Sequence, residues 1–147
     1  MTFKKIVCCT DFSESSNNAF AVALEIAKKN QGSLDVIYIK EPILNPLLTT
    51  GGGLSDEAIN ATIKSFEAKL KEEYGTKIDS SIDYKIIVRE GHPSSEIIGY
   101  LKEINPDLVV TGSSGLSGMG FVIFGSVSRR ISQKAPCSVL ITRRKKS

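Results

Sequence analysis

Residues 109–131 read VVTGSSGLSGMGFVIFGSVSRRI. The segment opens on the β-branched apolar residues of a buried strand and closes on a helical pattern. Between the two lie five glycines, Gly112, Gly115, Gly118, Gly120 and Gly125, together with Thr111, Ser113, Ser114 and Ser117. No lysine or carboxylate occurs from Val109 to Val127. A strand that runs through a glycine-rich loop into a helix is the repeating unit of an α/β sheet, so this stretch decides the fold class.

The rest of the chain has the same alternation. FKKIVCCT and SLDVIYIK, early in the sequence, read as apolar strands, and IDYKIIVRE, DLVVTGS and CSVLITR follow as strands three to five. Between the first two, Ala19, Val22, Ala23, Ile26 and Ala27 fall on one face of a helix, with Ser13 or Ser15 placed to cap it and KKNQG to stop it. In SDEAINATIKSFEAKLKEEYG the stripe is Ile59, Ile63, Phe66, Leu70 and Tyr74, ended by Gly75. GHPSSEIIGYLKEINP is a shorter helix with Pro93 in its first turn, and Ile97, Leu101 and Ile104 facing inward. GSVSRRISQKA is the last helix. EPILNPLLTTGGGLS is a loop. Such alternation implies right-handed crossovers and an open, mostly parallel, five-stranded sheet with helices on both faces, a Rossmann-like α/β fold. Strands that are apolar throughout, rather than alternating, fit a sheet covered on both sides.

With 147 residues, 41% hydrophobic and 24% charged, the chain is expected to form one domain over 1–147, with 143–147 (RRKKS) a solvated basic tail. A net charge of +3, smaller than that tail alone supplies, gives no reason to expect nucleic acid. No run approaches the roughly 18 apolar residues of a membrane span, and MTFKKIVCCTDF has too short an apolar core for a secretory signal. Cys8, Cys9 and Cys137 match neither a disulfide framework nor a metal site; Cys8 and Cys9, adjacent on a strand, point to opposite faces. Buried thiols in a reducing cytoplasm are the expectation.

In open parallel sheets ligands sit outside the carboxyl ends of the strands, where strand order reverses. That selects Thr10 to Ser13, Ile39 to Pro42, and Thr111 to Ser126. The glycine stretch is not a P-loop, since GxxxxGK[ST] is absent, nor the dinucleotide fingerprint GxGxxG. Its pattern is Gly112-x2-Gly115, nine residues, then Gly125-Ser126. Glycines at 112 and 115 would let a ligand approach the backbone, and Gly125-Ser126 opens a helix whose amides and dipole favour an anion. Strand end for a sugar and helix start for phosphates describe a mononucleotide site; a plain flexible connection is the competing reading. Asp11 is either an Asx-turn or capping aspartate, or a carboxylate that accepts hydrogen bonds from ribose or adenine.

CTDFSES, the GHP after strand three, TGSSG with its nine-residue gap to GSVS, and the ending APCSVLITR together resemble the universal stress protein family, over nearly the whole chain and in the same order. The resemblance implies the strand order 3-2-1-4-5 and the family branch that binds ATP. Carried over by position, Cys9, Thr10 and Asp11 line the adenosine end, and Ile39 offers backbone groups to adenine. Thr111 and Gly112 border the ribose, while Gly115, Gly125, Ser126 and Val127 hold phosphates, with Ser113 and Ser114 in the same loop. Magnesium would come with the nucleotide, near Asp11. Cys9 stands where a proline or aliphatic residue is more usual. MGFVIF (119–124) is apolar where relatives often carry basic or polar residues, which leaves the choice among ATP, ADP and AMP open.

No base is evident near the glycine loop, and the one histidine, His92, reads as part of a helix start. The resemblance implies at most slow hydrolysis or autophosphorylation, so a sensor is expected rather than an efficient enzyme. Strand five (137–143) is an apolar edge that invites a twofold mate, giving a homodimer. The alternative is an interaction module that uses the fold without nucleotide. On the nucleotide reading, Gly115→Val and Gly125→Val should each abolish binding with the fold intact.

Overall fold

The computed structural model describes residues 2–42, 55–113 and 125–144. In chain order the elements are β1 (Lys5–Cys9), α1 (Glu14–Asn30), β2 (Ser33–Lys40), α2 (Asp56–Glu73), a 3-10 turn (Gly75–Lys77), β3 (Tyr84–Glu90), α3 (Pro93–Ile104), β4 (Leu108–Gly112), α4 (Ser126–Lys134) and β5 (Ser138–Thr142). The strands form one sheet in the order β3-β2-β1-β4-β5, and all its pairings are parallel. The order in which strands are added therefore reverses between β1 and β4.

Each face of the sheet has its own core. Ile6, Cys8, Leu34, Val36, Leu108 and Val110 pack against Ala19, Phe20, Ala23 and Ala27 of α1 and against Leu70 and Tyr74 at the end of α2. Val7, Cys9, Ile37, Ile39 and Val109 pack against Ile97, Ile98 and Leu101 of α3 and Ile131 of α4. Cys8 and Cys9 thus face opposite sides, as adjacent strand residues must. Fully burying one Ile, Leu or Val contributes about 1.5–3 kcal/mol, so the doubly covered central strands anchor the fold.

The α2 stripe is shallower than its periodicity implies: Leu70 and Tyr74 are buried, while Ile59, Ile63 and Phe66 are half-buried. Helix ends also differ in detail. Ser13 caps α1, its Oγ accepting from the Ser16 amide, and the left-handed residue at the other end is Gln31 (φ 53) rather than the glycine. Gly32 is needed for close packing instead, since a Cβ there would lie 2.4 Å from the Lys4 carbonyl oxygen. Beyond α2, Tyr74 is the capping residue and Gly75 opens the 3-10 turn.

One polar residue lies in the middle of an apolar strand. Asp35 on β2 is buried, and Tyr100 of α3 donates its hydroxyl to Asp35 Oδ2 at 2.5 Å. Arg89 on β3 lies over the Tyr100 ring, 4.9 Å from its centroid, and pairs with Glu103. This polar strap joins β2, β3 and α3 where a buried carboxylate would otherwise be uncompensated.

Candidate functional site at the carboxyl edge of the sheet

The predicted site residues inside the described segments all gather at one end of the sheet. Cys9 is the last residue of β1, with Thr10 and Asp11 just beyond. Thr111 and Gly112 end β4, Ser113 follows, and Gly125, Ser126 and Val127 open α4. β1 and β4 are hydrogen-bonded neighbours, so these two sets flank the point where strand order reverses. Ser114, Gly115 and the apolar 119–124 lie outside the described residues, as does most of the loop before α2.

Ile39 comes to the same edge by ladder alternation. β1 and β2 pair only as far as Cys9 and Ile37, whereas β2 and β3 continue to Lys40 and Glu90. The Gly91 amide donates to the Lys40 carbonyl at 3.0 Å. Alternate residues of a central strand bond to opposite neighbours, so the Ile39 peptide groups turn toward the end of β1.

The turn after β1 is held by a dense hydroxyl network. Asp11 makes an Asx turn, its Oδ1 accepting from the Ser13 amide at 3.0 Å. Phe12 takes a left-handed conformation (φ 66), a rare state for a bulky side chain. Its amide donates to Thr10 Oγ1 at 3.1 Å. Thr10 Oγ1 is 2.6 Å from the Tyr74 hydroxyl, which donates to Asn17 Oδ1 at 2.6 Å. Ser16 Oγ donates to the Ser13 carbonyl at 3.0 Å and accepts from the Asp11 amide at 3.3 Å. The Thr10 side chain is therefore buried in the turn's own scaffolding.

Across the switch point the pattern repeats. Ser128 Oγ donates to the Gly112 carbonyl at 2.5 Å and lies 3.3 Å from Thr111 Oγ1, tying the first turn of α4 to the end of β4. The two glycines that bracket the motif are constrained by packing. A Cβ on Gly112 would lie 2.4 Å from Ser15 Oγ and 2.7 Å from the Ser15 carbonyl oxygen, so this glycine lets β4 approach α1. At Gly125 (φ 22) a Cβ would lie 2.6 Å from Ser128 Oγ. Gly125→Val would disturb the fold, contrary to the expectation that it acts on a ligand alone. Among the described residues no side chain caps α4. The start of α4 is tied to the end of β4, the neighbour of β1, and a helix N-terminus there carries the amides and dipole that an anion cradle would use.

Burial pushes the Cys9 thiol up to about 12, with Cys137 and Asp11 adding to the shift, so Cys9 is a packing residue on its side chain. Burial likewise raises the Tyr74 hydroxyl to about 12. Tyr38, on β2, is raised by burial first and then by the nearby Asp11 and Glu41 carboxylates. His92 is the N-cap of α3, its Nδ1 3.2 Å from Ser94 Oγ, and β2 stands between its strand and β1. Among the described residues no group of three or more His, Cys, Asp or Glu is arranged to hold a metal ion. Nor, among them, is any helix long and apolar enough to cross a membrane.

Sequence reasoning missed Ser16, Ser128 and the role of Tyr74. Tyr74 carried a signal only as the last member of an apolar stripe, and its hydroxyl finds Thr10 across 64 residues of chain.

A doubly wound sheet with polar turns at the strand reversal places this chain in the class of open parallel α/β domains, in which ligands sit outside the carboxyl edge of the strands. The universal stress protein family model matches residues 2–143, and the chain belongs to that family. It is 30% identical to the universal stress protein YxiE of Bacillus subtilis over 147 residues, 96% of this chain and 99% of that one. The solved universal stress protein UspA from Lactobacillus plantarum is similar at a TM-score of 0.78 and 26% identity, covering 97% of this chain and 99% of that one. A universal stress protein solved in complex with cAMP is similar at a TM-score of 0.69 and 21% identity, over 99% and 100% of the two chains.

Proposed function

We propose that this protein binds an adenine nucleotide, ATP with its magnesium or ADP or AMP, and works in the cytoplasm as a homodimeric, nucleotide-dependent regulator of a stress response. The observation that carries the reading is the meeting, at the β1–β4 switch point, of the Asp11 turn, the Ile39 peptide and the start of α4, which no described side chain caps. The donor set suits the ligand. Ile39 peptide groups read an adenine edge, and the Asp11 carboxylate accepts from the ribose or the base. The backbone of Gly112 and Ser113 borders the sugar, while the amides at Gly125, Ser126 and Val127 meet phosphate; for Ser114 and Gly115, outside the described residues, the part in phosphate binding rests on the family resemblance alone. Thr10 and Thr111 contribute through their backbone, since their hydroxyls are committed to Tyr74 and Ser128. The solved relative in complex with cAMP supports an adenosine monophosphate moiety as the common element.

The dimer would form through β5. Val139, Leu140 and Ile141 are half-buried on a strand that pairs only with β4 among the described residues. The other sheet edge, β3, exposes Tyr84 and Lys85 at its start, and an edge lysine discourages pairing.

Asp11→Asn tests the site, because asparagine keeps the Oδ1 that the Ser13 amide needs and removes the charge. A hydrogen bond to a charged group is worth about 1.5–3 kcal/mol, so AMP affinity should fall roughly 10- to 100-fold by calorimetric titration. Unchanged affinity would remove Asp11 from the site.

A further inference from the structure

The hydroxyl of Tyr74 sits at the centre of the turn that carries Asp11. The side chain is fully buried, and it comes from a distant part of the chain, as the capping residue of α2. Its hydrogen bonds have a single consistent direction. Tyr74 donates its one proton to Asn17 Oδ1, so the Thr10 hydroxyl must donate to Tyr74, and that leaves Thr10 Oγ1 to accept from the Phe12 amide. The relay ends on the residue whose backbone is in the left-handed region. The Phe12 ring in turn stacks on Tyr74, with centroids 6.1 Å apart at 26°, and packs on Tyr38 at 5.1 Å. Lys69 of α2 places its ammonium 4.1 Å from the Phe12 ring centroid.

A phenylalanine keeps this backbone state only where its surroundings over-determine it. The Tyr74 relay and the ring stack are those surroundings, and both come from the end of α2. We propose that Tyr74 is a positioning residue for the adenosine half of the site: by holding Thr10 and Phe12 it fixes the Asp11 turn in its binding geometry before the nucleotide arrives. The proposal rests on the nucleotide reading above. Without the hydroxyl the turn relaxes toward ordinary backbone angles, and the binding-competent fraction falls. Apparent affinity falls in proportion to that fraction.

Tyr74→Phe removes only the oxygen and keeps the ring against Phe12 and Phe20. Calorimetric titration of the native chain and the variant with AMP and with ATP should show about a tenfold loss for both ligands, the effect of a competent fraction near one tenth. Placed on Asp11→Asn, Tyr74→Phe should weaken ATP binding by clearly less than tenfold, because the Asp11 contact is already lost and only the Thr10 backbone remains to be displaced; a merely structural role would not depend on Asp11. Asn17→Ala, which loosens the relay from its other end, should lower affinity in the same direction if Tyr74→Phe proves too unstable to titrate. Affinity within about twofold of native in Tyr74→Phe, or a full tenfold loss repeated on Asp11→Asn, would overturn the proposal. A native chain that binds neither nucleotide would sink the functional reading itself, which the first titration distinguishes.

Discussion

Adding one methyl group at Gly112 separates the two reasons a glycine can stand at that position. In the structure a Cβ there meets Ser15 Oγ at 2.4 Å, the Ser15 carbonyl oxygen at 2.7 Å and its carbonyl carbon at 2.8 Å. The hydroxyl ends a short side chain, whereas the carbonyl belongs to the first turn of α1 and cannot yield without moving the helix. Relief therefore requires β4 and α1 to separate by several tenths of an ångström in a close-packed core, an overpacking cost of about 1–3 kcal/mol. For a chain of this size Gly112→Ala should lower the melting midpoint by roughly 3–10 °C, with the urea midpoint falling in step. Ser15→Ala on top should return part of the loss, since it removes the closest of the three contacts and leaves the carbonyl. Circular dichroism melts of the native chain and the single and double variants, all without ligand, read this directly. A native-like midpoint in Gly112→Ala would refute the packing account, and Gly112 would then be a glycine kept for a ligand alone.

Four further outcomes follow from named contacts. Tyr100→Phe leaves the buried Asp35 carboxylate without its donor and should cost about 1.5–3 kcal/mol in urea unfolding; no loss would mean that Asp35 finds another partner. Thr142→Val should be neutral or stabilising in the same assay, because Thr142 Oγ1 is buried with no hydrogen-bond partner among the described residues. Asp107 has its carboxyl held below the ordinary 3.8 by the amides of Lys5 and Lys4. A depressed folded value gives stability that is present above the unfolded value and lost as pH falls through the folded one, so Asp107→Ala should be less stable than native at pH 7, with the gap closing below about pH 4. A gap independent of pH would contradict this. Cys9, raised to about 12, and Cys8, also raised by burial, should resist thiol reagents at pH 8 until urea opens the core. Rapid labelling of folded protein at either residue would disprove the packing.

The fold was legible because its signals are local and repeated. Apolar runs such as IVCC and LDVIYI can sit only in a sheet covered on both faces, and the α1 face of Ala19, Ala23 and Ala27 docks where its spacing indicates. The strand order came from the family resemblance, and the observed sheet agrees with it. The site was legible in outline only. Spacing along the chain marks where β1 and β4 end, and both ends do meet at the switch point. What spacing cannot carry is the partner of a side chain from a distant element. Gly112 read as an opening for a ligand, but the volume is filled by Ser15. Thr10 read as a lining residue, but its hydroxyl is taken by Tyr74. Asp11 carried two readings; the Asx turn is present, and its role toward a nucleotide is the proposal made above.

The central claim is that this edge holds an adenine nucleotide. Freshly purified protein, denatured to release small molecules and assayed by mass spectrometry, should yield an adenine nucleotide. Alongside it, calorimetric titration with ATP, ADP and AMP in magnesium should show binding in the micromolar range. An empty extract, together with no heat of binding at millimolar nucleotide, would contradict the account and leave an interaction module that uses the same fold without a ligand.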